Sequence, residues 1–347
     1  MQNRVSPKTL IFEPMKLVSF VLEGTDKIGI LVDKNVYPLF LINPALPDNM
    51  ADFLKAGEEV MEITTSIEQH IKREPDKFNS YPYHDQDILA PVPHPTSCRD
   101  GYAFRQHVAA ARRNRGVPMI EEFDQYPIFY FTNHNTITGP GPIEFMPDHF
   151  NKLDFELEVA IVIGKKGKNI RAADADQYIA GFMVMNDWSA RTLQMEEMLL
   201  NLGPAKGKDF ATSIGPWLVT PDELTPYLTT PKEGHVGNQY KLAMKAFVNG
   251  IQVSEGNFGD MDWTFAELIE RASYGVDIYP GDVIGSGTVG TGCFLELNGT
   301  GLLNDKDYKS QWLQAGDKVV MEIEHLGKLE NLVKKADTDF SIMALKK

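Results

Sequence analysis

The sequence predicts an α+β protein that is mostly β, in which a small N-terminal domain precedes a larger and more β-rich domain. Its 347 residues suffice for roughly two domains of about 150 residues each. The stretch APVPHPTS at 90–97 holds three prolines in eight residues, and we therefore place the domain boundary there. After that boundary, strand-like runs dominate and lack the regular strand–helix alternation of a doubly wound sheet.

The small N-terminal α+β domain is predicted over residues 1–90. Residues 1–14 are interpreted as an extension before the first strand. Residues 16–41 alternate and are rich in Val, Ile, Leu and Phe, which predicts a β-hairpin or meander. The turn residues 47–49 then introduce a helical pattern that continues to about Arg73.

The larger domain is predicted over residues 91–347, and most of its predicted elements are strands. The strand-like runs span 128–132, 155–163, 180–185, 216–219, 242–248, 282–285, 293–297 and 318–324. Helical patterns are fewer and span about 100–114, 172–178, 188–200 and 264–272. Glycine-rich connectors, such as DVIGSGTVGTG at 282–292, separate the later strands.

Composition argues against several classes of function. The net charge of −14, from 34 Lys and Arg against 48 Asp and Glu, argues against a nucleic-acid partner, because phosphates demand basic patches. No apolar stretch approaches the roughly 18–20 residues of a membrane helix, and residues 1–14 lack the apolar core of a signal peptide. The two cysteines, Cys98 and Cys293, show no zinc-binding spacing. A disulfide between them is the alternative, but we expect a reduced, cytoplasmic protein. The net charge does not exclude an anionic small substrate, because a local basic site can lie in an acidic protein.

The sequence KLDFELEVAIVIG at 152–164 has Asp154, Glu156 and Glu158 at every second position. A strand repeats its faces with period 2, so the three acids are predicted to point to one side. A solvated edge is the ordinary interpretation of such a pattern, but the apolar run at 160–163 indicates that this strand lies in a core. Buried carboxylates must be paired, protonated or bound to a cation, and Mg²⁺ or Ca²⁺ prefers oxygen ligands.

Two further segments bring candidate residues to the ends of helices. In GFMVMNDWSARTLQ at 181–194, Asp187 lies where a strand gives way to a helix, and a helix N-cap is its alternative role. In SCRDGYAFRQHVAAARRNRG at 97–116, Asp100 is predicted to start a helix. His107 would then lie two turns later on the same face, although an ordinary surface or core histidine fits the same pattern.

These segments together resemble the fumarylacetoacetate hydrolase family, and the resemblance runs through most of residues 95–325. The segments that carry it are RDGYAFRQH, LDFELEVAIVIG, MNDWSARTLQ, GPAKGKDFATSIGPW, GSGTVG, CFLELNG and LQAGDKVVMEIEHLGKLEN. The resemblance implies a catalytic domain of the fumarylacetoacetate hydrolase type, built as a β-roll or sandwich. It also implies a homodimer that assembles through this domain.

The resemblance also assigns roles to individual residues. A divalent-metal site, for Mg²⁺ or Ca²⁺ with Mn²⁺ as a further option, matches the carboxylates of Asp100, Glu156, Glu158 and Asp187. The catalytic residues comprise a water-activating histidine–glutamate pair and a lysine, which match His107, Glu296 and Lys208. The residues that contact substrate or stabilise charge on it match Tyr102, Tyr130, Arg191, Gln194 and Thr288. Asp154 is not a family ligand and is expected at the strand entry or behind the ligands.

The activity that the resemblance implies is hydrolysis of a carbon–carbon bond in a β-diketo acid of the fumarylacetoacetate or acylpyruvate type, through a metal-bound enolate. Such an activity belongs to aromatic amino acid catabolism. The alternative within the family is a lyase or isomerase, either an oxaloacetate decarboxylase or a hydroxymuconate-type isomerase or decarboxylase. The presence of both His107 and Glu296 favours hydrolysis. The alternative from a different class is a non-catalytic binding module with a structural ion, which would need no such pair.

Overall fold

The computed structural model describes residues 15–84 and 87–346, so the extension predicted at 1–14 lies outside the described residues. Near the N-terminus, an antiparallel meander is formed by β1 (Lys16–Leu22), β2 (Thr25–Val32), β3 (Asn35–Pro38) and β4 (Tyr81–Pro82). Between β3 and β4 lie the helices α1 (Leu39–Ile42), α2 (Met50–Ala56) and α3 (Glu58–Arg73). The predicted meander is confirmed as far as Pro38, and the predicted helical pattern is confirmed up to Arg73.

Local sequence explains these N-terminal elements. The turn between β1 and β2 is made by Glu23 and Gly24, whose φ angles of 52° and 76° are those of a type I′ hairpin. Helix α2 begins after Asn49, whose side chain accepts a hydrogen bond from the amide of Asp52 at 2.9 Å. The helix buries Phe53 on the side that faces the sheet.

Most strands follow the proline-rich stretch, as predicted. These strands are β5 (Ser97–Gly101), β6 (Phe129–Thr132), β7 (Ile137–Thr138), β8 (Gly141–Phe145), β9 (Leu153–Asp154), β10 (Leu157–Ile163), β11 (Gly167–Lys168), β12 (Ile179–Asp187), β13 (Ser189–Ala190), β14 (Thr212–Val219), β15 (Leu228–Thr229), β16 (Gln239–Tyr240), β17 (Ala243–Val248), β18 (Ile251–Asn257), β19 (Asp277–Ile278), β20 (Asp282–Gly285), β21 (Lys318–Ile323) and β22 (Gly327–Lys335). The helices of this part are α4 (Arg105–Asn114), α5 (Ala172–Ala175), α6 (Arg191–Met198), α7 (Phe265–Ser273) and α8 (Phe294–Asn304). Among the described residues, no helix combines the length and the apolar character that a bilayer crossing requires.

Two large sheets organise the chain. The larger sheet has the order β4-β3-β2-β1-β14-β12-β10-β20-β5-β6, with β7 beside β14. The smaller has the order β18-β17-β21-β22-β8. Side chains from both sheets belong to one buried apolar cluster, including Ile161 and Phe182 of the larger sheet and Met244 and Met321 of the smaller. Two sheets packed around a shared core confirm the predicted fold class, which is mostly β with a sandwich-like catalytic part.

The N-terminal elements cover the opposite face of the larger sheet. Neighbouring residues on a strand point to opposite faces, and along β10 the side chain of Ile161 enters the core between the sheets whereas that of Val162 does not. Val162 packs in a second buried cluster that also contains Phe53 of α2. Strand β1 in turn pairs with β14, with Leu17 opposite Leu218. The two predicted domains therefore share a sheet and a core, and the boundary between them stays a prediction.

Two predicted elements next to the candidate site are wrong. Residues 293–297 belong to the start of helix α8, because five alternating residues are too few to distinguish a strand from a helix. Asp100 lies in β5 and not at the start of a helix, because its backbone pairs with Gly285 on one side and Tyr130 on the other. Helix α4 begins only at Arg105, so the predicted placement of Asp100 and His107 on one helical face is also wrong.

The strand predicted at 155–163 is interrupted near its start. Strand β9 ends at Asp154 and β10 begins at Leu157. Between them, the amide of Phe155 donates to the carboxylate of Asp154 at 2.9 Å, and the amide of Glu156 donates to the side chain of Asn186 at 3.0 Å. Because these amides bind side chains and not a neighbouring strand, the alternation breaks there. The predicted strand is therefore interrupted between Asp154 and Leu157, although the carboxylates of Asp154 and Glu156 both bind the guanidinium of Arg191.

Candidate active site

Four buried carboxylates meet at one end of the central strands. They come from β5, from the segment before β10, from β10 itself and from the last residue of β12: Asp100, Glu156, Glu158 and Asp187. One carboxylate oxygen of each lies within 4.8 Å of those of the other three. The pairing of β10 with β12 and with β20, and of β20 with β5, brings these chain segments together. The ligand set predicted from the sequence thus forms a single cluster.

The electrostatics of the cluster favour a bound cation. Burial, followed by the charge of Asp187, raises the pKa of Asp100 to about 8. Burial and the neighbouring Asp100 raise the pKa of Glu158 well above its ordinary value. Burial also raises the pKa of Asp187, even though Lys208 opposes this effect. The protein's own groups thus compensate the negative charge at these three positions only in part, through Lys208 at Asp187.

Glu156 differs from the other three carboxylates because two cations contact it. Burial alone would raise its pKa, but the charges of Lys208 and Arg191 hold the pKa of Glu156 below its ordinary value. The Nζ atom of Lys208 donates to Oε2 of Glu156, and Nη2 of Arg191 donates to Oε1 at 2.8 Å. Glu156 is therefore ionised and held in one orientation.

Unpaired oxygens in the cluster match the needs of a hard divalent ion. The Oε1 atom of Glu158 and the Oδ1 atom of Asp187 are buried and accept no hydrogen bond from the described part of the chain. The amide of Gly287 donates to Glu158 at 3.0 Å and to Asp100 at 3.2 Å, which leaves the remaining lone pairs of these carboxylates for a ligand. Mg²⁺ and Ca²⁺ bind oxygen atoms of this kind. The residues present thus fit a divalent ion.

Lys208 and Tyr130 both contact Asp187. The Nζ atom of Lys208 lies 2.6 Å from Oδ2 of Asp187, and the hydroxyl of Tyr130 donates to the same oxygen at 2.5 Å. Lys208 is only 4% exposed, and the charges of Asp187 and Glu156 raise its pKa even though burial acts in the opposite direction. Lys208 is accordingly a charged residue of the site and not a surface lysine.

A histidine–glutamate pair lies beside the cluster. The Nδ1 atom of His107 is 2.7 Å from Oε2 of Glu296, and the other oxygen of Glu296 accepts from the amide of Thr291 at 3.0 Å. A carboxylate can only accept, so the hydrogen of the neutral imidazole lies on Nδ1 and the lone pair lies on Nε2. A ring nitrogen of His107 lies within 4.8 Å of a carboxylate oxygen of Glu156. The pair predicted from the sequence therefore stands next to the predicted metal ligands.

A fifth acid, Asp154, connects the two halves of the site. It is fully buried, and its Oδ2 atom accepts from Nε of Arg191 at 2.8 Å and from the amide of Leu295 at 2.9 Å. Its Oδ1 atom accepts from the amide of Phe294 at 2.8 Å. The carboxylate thus caps the N-terminus of α8, where amides lack helical partners. Since α8 carries Glu296, Asp154 fixes the position of the His107–Glu296 pair relative to Arg191, which in turn orients Glu156.

The remaining predicted residues line the same region. The ring of Tyr102 contacts that of His107 edge to face, with centroids 6.0 Å apart. Nη1 of Arg191 donates to the side chain of Gln194 at 3.0 Å. Thr288 is buried and directly follows Gly287, whose amide binds two of the carboxylates. All twelve predicted residues therefore lie around one centre, and their roles remain predictions.

Sequence reasoning missed two glycines that shape the site. A Cβ atom on Gly285 would lie 2.7 Å from Oδ1 of Asp100, and one on Gly287 would lie 2.6 Å from the carbonyl oxygen of Gly101. Gly287 also has a φ of +80°, which other residues rarely adopt. A sequence signal for these glycines exists, because the glycine-rich segment GSGTVG at 285–290 begins at the end of a predicted strand.

Comparison with known proteins gives matches over most of the chain. The family model described as fumarylacetoacetate (FAA) hydrolase, C-terminal, matches residues 96–334. A human protein named oxaloacetate tautomerase FAHD2A, mitochondrial, is 33% identical over 307 residues, which cover 86% of this chain and 83% of that protein. A fumarylacetoacetase from Oryza sativa subsp. japonica is 34% identical over 214 residues, which cover 53% of this chain and 49% of that protein.

A solved structure has the same fold. The fumarylacetoacetate hydrolase (EaFAH) from the psychrophilic Exiguobacterium antarcticum superposes with a TM-score of 0.67, covering 93% of this chain and 100% of that one. The two sequences are 24% identical. At this identity the likeness concerns the arrangement of strands and helices.

Proposed function

The chain belongs to the fumarylacetoacetate hydrolase family, and we propose that it is a divalent-cation-dependent enzyme that hydrolyses a carbon–carbon bond of a β-diketo acid. The substrate class is an acylpyruvate or a fumarylacetoacetate-like compound. The products are a carboxylic acid and an oxo acid, which is a 2-oxo acid from an acylpyruvate and a 3-oxo acid from a fumarylacetoacetate-like compound. The observation that carries the proposal is the 2.7 Å contact of His107 with Glu296 beside the carboxylate cluster. A buried histidine that a carboxylate orients is the arrangement needed to take a proton from water.

The cofactor we propose is Mg²⁺ or Ca²⁺, with Mn²⁺ as a further option. The residues that would hold it are the four clustered carboxylates: Asp100, Glu156, Glu158 and Asp187. When bound, such an ion polarises a carbonyl oxygen and favours negative charge on the substrate.

The protein's own residues would then move the proton and position the substrate. Nε2 of His107 accepts a proton from water, and Glu296 stabilises the imidazolium through Nδ1. The ammonium group of Lys208, held between Glu156 and Asp187, is a fixed positive charge near the developing anion. The hydroxide adds to the carbonyl carbon, the tetrahedral adduct collapses with cleavage of the carbon–carbon bond, and the departing carbon takes up the proton that His107 accepted.

Arg191 and Gln194 act together in this proposal. All three guanidinium nitrogens of Arg191 are engaged, by Asp154, Glu156 and Gln194. Arg191 is therefore suited to hold Glu156 and the amide of Gln194 in place, so that Gln194 can contact the substrate directly. Tyr102, Tyr130 and Thr288 complete the proposed pocket.

A second candidate function is keto–enol tautomerisation of oxaloacetate. It is favoured by the 33% identity, over 86% of the chain, to a protein named oxaloacetate tautomerase. Tautomerisation removes a proton from carbon and returns one to oxygen, so it needs a proton acceptor and a donor but no attacking water. His107 is the candidate acceptor and Lys208 is the candidate donor in this reaction.

One set of assays separates the two candidates. With Mg²⁺ present, hydrolysis of an acylpyruvate consumes water and releases pyruvate and an acid, whereas tautomerisation changes the enol absorbance of oxaloacetate without releasing pyruvate. We expect pyruvate release with the wild type and its loss in His107→Ala, while the Mg²⁺-induced rise in melting temperature is kept. A control is His235→Ala, which alters the pair of His235 with Glu267, neither of which is among the predicted site residues. If oxaloacetate tautomerises and no diketo acid is cleaved, the hydrolase proposal is wrong.

Three further expectations from the sequence also remain proposals. The chain is expected to form a homodimer, to work in the cytoplasm and to serve aromatic amino acid catabolism. Since the named human relative is mitochondrial, the compartment needs a direct test by fractionation of the source cells. The small-molecule substrate is the partner we propose, with no nucleic acid and no membrane.

A further inference from the structure

A thiol lies next to the histidine–glutamate pair and has no role in the proposed reaction. Cys293 is fully buried immediately before helix α8, in the turn that leads to Glu296. Its sulfur, a ring nitrogen of His107 and a carboxylate oxygen of Glu156 all lie within 4.8 Å of one another. We propose that His107, Cys293 and Glu156 form a second metal site, for a thiophilic divalent ion such as Zn²⁺.

The chemistry of the donors distinguishes this site from the carboxylate cluster. The four-carboxylate cluster offers oxygen only, which suits Mg²⁺ and Ca²⁺. The second set offers one nitrogen, one sulfur and one oxygen, which suits Zn²⁺ and Cd²⁺ far better than Mg²⁺. Three protein ligands with a fourth position open to water is a common zinc arrangement.

The geometry requires only a small adjustment. With zinc bonds of about 2.0–2.3 Å, tetrahedral ligands stand roughly 3.4–3.7 Å apart. The observed limit of 4.8 Å therefore calls for shifts of about 1 Å. Glu296 already binds Nδ1 of His107 at 2.7 Å, which leaves Nε2 as the nitrogen for an ion, in the carboxylate–histidine–metal pattern that orients zinc ligands.

Occupation of this site would block the enzyme. The ion would take the Nε2 lone pair that the proposed reaction uses to accept a proton. Both oxygens of Glu156 already accept a hydrogen bond, from Lys208 and from Arg191, so each ion would use a remaining lone pair of this carboxylate. The binding of the ion does not depend on the proposed function, whereas the inhibition does.

Cd²⁺ is the probe that tests the binding, because a cadmium–thiolate bond absorbs in the near ultraviolet and a cadmium–carboxylate bond does not. The full-length protein is titrated with Cd²⁺ in saturating Mg²⁺, together with Cys293→Ser and the control Cys98→Ser. Cys98 is the other buried free cysteine and lies in β5. In the wild type and in Cys98→Ser, we expect a cadmium–thiolate absorbance that saturates at one Cd²⁺ per chain. We expect no such absorbance in Cys293→Ser.

A second variant and a second readout complete the design. Cys293→Ala replaces Cys293→Ser if the serine variant does not reach the melting temperature of the wild type. In Glu296→Gln, Cd²⁺ affinity should fall by about 10- to 100-fold, as it does when an orienting partner of a ligand is lost. The proposal is overturned if the wild type shows no band, if the band persists without Cys293, or if it disappears with Cys98→Ser. Inhibition by Zn²⁺ is measured separately and bears only on the catalytic consequence.

Discussion

The carboxylate of Asp154 and the guanidinium of Arg191 are joined by a 2.8 Å hydrogen bond, with neither side chain more than 2% exposed. The same carboxylate accepts the first amides of α8, and the same guanidinium holds Glu156. One buried ion pair thus connects the helix that carries Glu296 to a predicted metal ligand.

Asp154→Asn is expected to reduce both stability and activity. The substitution keeps the shape but leaves Arg191 with Glu156 in place of two buried charged partners, and breaking a buried ion pair costs about 3–5 kcal/mol. The control is Asp124→Asn, which alters an Arg–Asp pair with Arg105 whose side chains are 45% and 54% exposed. That pair should contribute no more than about 1 kcal/mol. Urea unfolding of both variants makes the comparison, and equal losses would contradict the linking role of Asp154.

Glu158→Gln is expected to abolish stabilisation by Mg²⁺ or Ca²⁺. In the wild type, an ion at 100 times its dissociation constant should add about 2.7 kcal/mol to the free energy of unfolding. The variant removes a ligand charge, and it also removes repulsion with Asp100. When both proteins are treated with chelator, the variant should therefore be no less stable than the wild type. Melting temperatures with a chelator and with added ion provide the measurement, with Glu144→Gln as an exposed strand control. An unchanged ion-dependent shift in Glu158→Gln would exclude this residue as a ligand.

Glu296→Gln is expected to lower kcat by about 10²- to 10⁴-fold. The amide of glutamine can donate to Nδ1 of His107, which would move the ring hydrogen to Nε2 and remove the proton acceptor. The Mg²⁺-induced shift in melting temperature should stay at the wild-type value. Glu267→Gln is the matched control, because Glu267 contacts His235 at 3.0 Å in a pair outside the site. A similar kcat for wild type and Glu296→Gln would show that the pair does not activate water.

Gly287→Ala is expected to destabilise the protein by more than Gly275→Ala does. Both glycines have positive φ, +80° and +75°, which costs an alanine about 1–2 kcal/mol. Only at Gly287 would the new methyl group collide with backbone, at the carbonyl of Gly101, adding about 1–3 kcal/mol. Chemical unfolding of the two variants separates the cost of the positive φ angle from the cost of the collision with backbone. If the two losses are equal, the close approach at Gly287 does not constrain the site.

The stability of the protein should depend on pH through His149. Burial, and then the charge of Lys206, lowers the pKa of His149 from 6.5 to about 4. The unfolded chain therefore binds a proton between pH 6.5 and 4 that the folded protein rejects, so this contribution to stability falls as the pH drops through that window. In His149→Gln, the melting temperature should decline less steeply over this window. Parallel declines in the two proteins would show that His149 titrates normally.

The sequence predicted the metal-ligand candidates better than the local structure around them. Glu156 precedes an apolar strand, Glu158 lies near the start of the same strand and Asp187 ends another, and that pattern is visible over a few residues. Asp100 is predicted to start a helix because the residues after it favour one, whereas pairing with Gly285 of β20, 185 positions away, places it in a strand. Local pattern carries no information about such distant pairing.

The role of Asp154 could not have been predicted for the same reason. Its alternation with Glu156 predicts a shared face, and Arg191 does bind both carboxylates. The additional contact with the amide of Phe294, 140 positions away, is what local pattern does not show. Likewise, the alternation in CFLEL is too short to distinguish a strand from a helix. Capping by Asp154 stabilises the helix, and only the folded chain brings the two together.

The core that the N-terminal elements share with β10 determines which truncated fragments of this protein can fold. A fragment that began after residue 97 would present Val162, Met183 and Leu218 to water on one broad apolar surface. Such a surface invites aggregation and recognition by chaperones, so the catalytic half should not accumulate as a soluble fragment. Gene fusions or tags are better tolerated ahead of β1, where the first strand and its partners stay intact.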